Sequence, residues 1–164
     1  MTVCHAASPK AFKRILFATD LSESSDRAFT FTLDMAKTFQ AQVLAIHALG
    51  GPVLTSRELD VPVEAEKLTL EEMRRRLQSL VTEGSRQGIE VQTLTADGPA
   101  APAILKAAVE NDSDLIVLAI ESKGIIERTL LGTTAEQVVR DGRVPVLSVP
   151  VQVEAKSKDA EPVS

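Results

Sequence analysis

Few side chains in this sequence stand where chemistry can be done, and their spacing narrows what that chemistry is. Asp20 falls in Thr19-Asp20-Leu21-Ser22, directly after an apolar run and before a helix-like stretch. A carboxylate at that point stabilises the positive end of the helix that follows. His47 lies near the end of the run Val43-Leu44-Ala45-Ile46-His47-Ala48 and reads either as a hydrogen-bonded core imidazole or as a base. Thr133-Thr134-Ala135-Glu136 is a Thr-x-x-Glu capping box, which satisfies the free N–H groups of its own helix. Cys4-His5 has the residue types of a nucleophile and its base, but neighbours in a terminal arm lack a third group to orient them. One cysteine and two histidines are too few for an intrachain disulfide or a zinc site of the usual Cys/His kind. The sequence has no Gly-x4-Gly-Lys-Ser/Thr loop, no Ser-Gly-Gly loop after its first apolar run, and no supported Ser/His/Asp set. An ATP-using enzyme is therefore the weakest reading.

The elements that must position these residues alternate regularly. Lys13 to Thr19 reads as a buried strand, followed by a helix from Ser22 and Glu23 to about Gln40, with Ala28, Phe31, Met35 and Phe39 inward. Val43 to Ala48 is the second strand, ended by Gly50-Gly51-Pro52, and Val53 to Val63 is an irregular loop. A long helix follows from about Val63 to Ser85, with Leu70, Met73, Leu77, Leu80 and Val81 inward and Gly88 at its end. Its Arg74-Arg75-Arg76 run is flanked by Glu71→Arg75 and Glu72→Arg76 pairs and reads as a solvated face. Ile89 to Leu94 alternates like a half-exposed strand, and Gly98-Pro99 opens a short helix carrying Ile104, Leu105, Ala108 and Val109. Asp114 to Ala119 is the most apolar strand and should be central, buried on both faces. A loop from Ile120 to Leu131, a helix from about Thr134 to Asp141 and a strand from Val144 to Val149 complete the pattern.

Strict alternation of strand and helix means parallel strands joined by right-handed crossovers, an open doubly wound sheet with helices on both faces. Such a sheet binds ligands beyond the C-terminal ends of its strands, here after Thr19, Ala48 and Ala119. Residues 1–12 read as a flexible arm, 13–150 as one domain, and 151–164 as a flexible tail. The chain has 164 residues, 44% of them apolar, which is enough for a core, and no apolar run long enough for a membrane helix. Eighteen basic against 23 acidic residues give a net charge of −5, which argues against a nucleic-acid binder that must neutralise phosphates. All five aromatics are Phe, between Phe12 and Phe39, so a base-stacking platform is not expected. Nothing resembling a signal peptide opens the chain, and the cytoplasm is the expected location.

Taken in order, these segments resemble the universal stress proteins. Lys13 to Ser22 looks like that family's opening strand and acidic turn, and Val43 to Ala48 is similar to its second strand. Asp114 to Leu118, Leu131-Gly132-Thr133 and Val144 to Val149 match its C-terminal half. The resemblance covers about Phe12 to Pro150 and implies a five-stranded sheet of order 3-2-1-4-5, usually in a dimer. It also implies a candidate ATP site of Asp20 (near the adenosine), Ala48, Ala119, Ser122, Gly132 and Thr133. ATP-binding members carry Gly-x2-Gly-x9-Gly-Ser/Thr after the fourth strand. Aligning its end on Gly132-Thr133 puts the first two glycines at Ala119 and Ser122, so the motif is degenerate. Glycine there lets backbone N–H groups approach phosphate and reach positive φ. Thr133 is then a phosphate contact or a plain cap. The loop's Glu121 and Glu127 offset Lys123 and Arg128, leaving it formally neutral.

The resulting expectation is a dimeric regulatory or interaction module without tight ATP binding, with an unidentified protein partner. The alternative is an ATP-binding switch with slow hydrolysis at most. The dimer is expected to pair the uncharged last strand, Val144 to Val149, across a two-fold axis. Restoring both glycines is expected to raise ATP affinity about tenfold.

Overall fold

The computed structural model describes residues 12–50, 63–122 and 133–152. The elements run β1 (Arg14–Ala18), α1 (Glu23–Phe39), β2 (Gln42–Ala48), α2 (Val63–Arg86), β3 (Val91–Ala96), α3 (Ala100–Glu110), β4 (Leu115–Ser122), α4 (Thr133–Asp141) and β5 (Val146–Gln152). All strand pairs are parallel and the order is β3-β2-β1-β4-β5, the doubly wound sheet that the alternation implies. The arm and tail lie almost wholly outside the described residues, as do the Val53–Val63 loop up to its last residue and Lys123 to Gly132.

Successive strand residues point to opposite faces, so each strand feeds two cores. Ile15, Phe17, Val43, Ala45, Leu115 and Val117 meet α1 and α2 on one face. Leu16, Ile46, Ile116 and Leu118 meet α3 and α4 on the other. Leu115 to Leu118 is buried on both faces, as its lack of alternation requires. The strand is anchored at its entry by Asp114, whose Oδ2 accepts the Lys13 and Arg14 backbone N–H groups at 2.7 and 2.9 Å. Gly84 brings α2 against β3: a Cβ there would lie 2.1 Å from Val91 Cγ2.

Four sequence expectations are corrected. The buried stripe of α1 is Ser25, Ala28, Phe29, Thr32, Leu33 and Ala36, while Phe31 is 44% exposed. Spacing alone favoured the Phe residues, yet two hydroxyls join the stripe because each has a partner. Thr32 Oγ1 donates to the Ala28 carbonyl at 2.8 Å, and Ser25 Oγ donates to Asp20. Leu70 and Val109, also expected inward or on the helix's apolar face, are likewise exposed, and neither belongs to the buried core. β4 does not stop at Ala119 but runs to Ser122, so Ile120 to Ser122 belong to the sheet and not to a loop. β5 begins at Val146 and continues to Gln152, which takes buried Val151 out of the tail and into the core.

Candidate functional site

The switch in strand order lies between β1 and β4, whose following crossovers depart toward opposite edges. Register brings the ends together there: Ala18 pairs with Ile46 on one side and with Leu118 on the other. Two residues beyond that level come Asp20 in the turn after β1, Ala48 at the end of β2 and Ile120 within β4. Ala119 sits one residue lower on β4, paired with Val149, and Thr133 opens α4 with its side chain exposed. Ser122 lies farther along β4, paired with Gln152. Gly132 falls outside the described residues.

The turn after β1 is built from its own side chains. Asp20 Oδ1 accepts three hydrogen bonds: from the Ser22 N–H at 3.0 Å, from Ser22 Oγ at 2.6 Å and from Ser25 Oγ at 2.6 Å. Ser22 Oγ in turn accepts the Ser25 N–H at 3.2 Å as the N-cap of α1. Burial pushes the Asp20 carboxyl up, but the bonds from Ser22 and Ser25 outweigh it and hold it below the ordinary carboxylate value. All three bonds converge on Oδ1, which ties the carboxylate to the first turn of α1. Leu21 adopts a left-handed φ of +62°, unusual for a branched side chain. Its N–H donates to Thr19 Oγ1 at 2.9 Å and its carbonyl accepts from Arg76 Nη1 at 2.6 Å.

His47 is engaged from below. Its Nδ1–H donates to the Thr19 carbonyl at 3.0 Å, while the Thr19 N–H donates to the Ile46 carbonyl at 2.9 Å. The imidazole thus ties β2 to the root of the Asp20 turn, which is the hydrogen-bonded alternative among the two sequence readings. Among the described residues no group of three His, Cys, Asp or Glu side chains can hold a metal ion.

On β4 the backbone is committed. Ile116 N–H donates to the Pro145 carbonyl at 2.9 Å, so alternate residues from Ile116 onward turn toward β5. That alternation assigns the Ser122 amide to β5 and the Ala119 amide to β1. The two positions aligned with the motif's glycines, Ala119 and Ser122, therefore lie in ladder geometry, paired with Val149 and Gln152.

Residues missed by the sequence reading are Thr19, Ser25 and Arg76. The spacing Asp20-x-Ser22-x-x-Ser25 carried a signal for Ser25, one helical turn beyond the cap. Arg76 carried none, since its partner is 55 residues away.

A parallel sheet of this order with its polar turn at the switch point defines a doubly wound α/β domain. The profile of the universal stress protein family matches residues 11–150, and the chain belongs to that family. The universal stress protein MJ0531 of Methanocaldococcus jannaschii is 31% identical over 143 residues, covering 84% of this chain and 82% of that protein. YxiE of Bacillus subtilis is 28% identical, covering 84% and 99%. Among solved structures, MJ0577, described as a test case for assigning biochemical function from structure, aligns with a TM-score of 0.70 at 24% identity, covering 87% of this chain and 98% of that one. A universal stress protein solved with cAMP aligns at 0.63 and 20% identity, covering 86% and 98%. One from Archaeoglobus fulgidus solved with dAMP aligns at 0.62 and 22%, covering 85% and 99%.

Proposed function

We propose that this universal stress protein is a non-enzymatic regulatory module of the cytoplasm, acting as a homodimer and as a partner for another protein, without tight ATP binding. The observation that carries the reading is the continuation of β4 through Ala119 and Ser122. Where triphosphate-binding relatives are implied to place a glycine loop, this chain has ladder-bonded backbone. The adenosine side is better kept: Asp20 places a carboxylate in the turn after β1, at the switch point and beside the end of β2. Weak binding of an adenine nucleotide through that end is consistent with both halves of the site, and Thr133 then serves chiefly as a cap. The second reading, an ATP-dependent switch, draws on the structural neighbours solved with cAMP and dAMP.

The dimer would form on β5, an outer strand of the sheet. Alternation turns the amides of Val146, Ser148 and Gln152 outward and places Pro150, which has no N–H, on the same side. Two outward donors before Pro150 give a short unpaired edge suited to an isologous contact.

Mass analysis of small molecules released from the purified, denatured protein decides between the two readings. Empty protein, with weak Mg-ATP binding by calorimetry, is expected. Stoichiometric ATP would overturn the module reading.

A further inference from the structure

The Arg74-Arg75-Arg76 run reads from sequence as a solvated face, and for Arg75 that reading fits the structure: its guanidinium pairs with Glu72 on the same helix. Arg76 differs. Its Nε holds Glu72 Oε1 at 3.0 Å, and its Nη1 reaches off the helix to the Leu21 carbonyl at 2.6 Å. The peptide it grips follows a non-glycine residue at φ +62°, a left-handed conformation that L side chains rarely adopt. That residue joins Asp20 to its partners Ser22 and Ser25.

We propose that Arg76 is a positioning residue: from α2 it holds the left-handed turn that presents Asp20 at the switch point. Glu72 fixes the guanidinium, Arg76 orients the Leu21 carbonyl, and the kink keeps the Ser22 and Ser25 donors converged on Asp20 Oδ1. The cation pins the turn from one side while His47 secures its root from β2. The assignment rests on the adenosine-side reading of Asp20 only for its consequence in binding, because the clamp itself exists without ligand.

The test compares the full chain with Arg76→Gln, Arg76→Lys and Arg75→Gln. The last removes the same charge one residue away and leaves Leu21 untouched. Amide hydrogen exchange by NMR, without nucleotide, should quicken at Leu21 and Ser22 by about fivefold or more in Arg76→Gln, the size expected for losing one half-exposed charged hydrogen bond. Arg76→Lys should recover part of the protection, and Arg75→Gln should match the unmodified protein. Titration with dAMP should show affinity lowered about threefold or more by Arg76→Gln alone. Unchanged exchange in Arg76→Gln would overturn the proposal, as would equal changes in Arg75→Gln, or faster exchange with unaltered dAMP affinity. Faster exchange in Arg76→Gln with no dAMP binding by any form would leave the clamp standing and sink the adenosine reading instead.

Discussion

Replacing Ala119 and Ser122 together by glycine separates what the motif alignment expects from what the ladder allows. From the motif, the double change frees two amides for phosphate and strengthens ATP binding about tenfold. From the structure, Ala119 is paired with Val149 and Ser122 with Gln152, and Ala119 packs against the core formed with α1 and α2. Glycine in a strand interior loses more entropy on ordering and supplies no side chain to pack, costing about 0.5–1 kcal/mol at Ala119 and less at Ser122, the last residue of β4. The pair should cost about 0.5–1.5 kcal/mol, which in a domain of this size lowers Tm by about 1–6 °C. Both amides stay in their ladder bonds, so Mg-ATP affinity should change by less than about twofold. Calorimetric titration with Mg-ATP, paired with a thermal scan of each protein, measures both quantities. A tenfold gain in affinity would refute the reasoning, because it would require the end of β4 to leave the ladder when nucleotide arrives.

Three further outcomes follow from the fold. Ser148→Pro removes an outward amide of β5 without touching its bonds to β4, and should shift a dimer toward monomer in light scattering at micromolar protein; an unchanged dimer would place the interface elsewhere. Asp20→Ala strands the Ser22 and Ser25 donors and should cost about 1–2 kcal/mol in urea unfolding, the half-exposed position reducing the full penalty. Because the folded-state carboxyl lies below its unfolded value, its contribution is present above the unfolded pKa and lost as pH falls through the folded one, so the gap between the two proteins should narrow only in acid; a constant gap from neutral pH to acid would contradict this. Gly84→Ala places a methyl 2.1 Å from Val91 Cγ2 and should destabilise by about 1–3 kcal/mol, with Val91→Ala recovering part of the loss in a double-mutant cycle; additive losses would show that the contact is not the cause.

The order of elements, the parallel sheet and its central strand were legible in the sequence, because hydrophobic period and strand length are local properties. Ile15 to Phe17 and Leu115 to Leu118 had to be buried on both sides wherever they stood, and Ser22 announced its helix by its own chemistry. Asp20 was recognisable as a strand-end carboxylate for the same reason. The tertiary structure decided what depends on a partner remote in sequence. Thr32 and Ser25 enter the core face of α1 in preference to Phe31 because helix packing selects a whole stripe, and their hydroxyls find acceptors within it. β4 extends through Ser122 because β5 continues beside it to Gln152, a pairing no window around either strand contains. Arg76 leaves its solvated row for the Leu21 carbonyl because folding places α2 beside a turn 55 residues earlier. Local patterning thus determined which elements form and in what order, whereas the reach of each side chain and the end of each strand depended on neighbours that only the folded chain supplies.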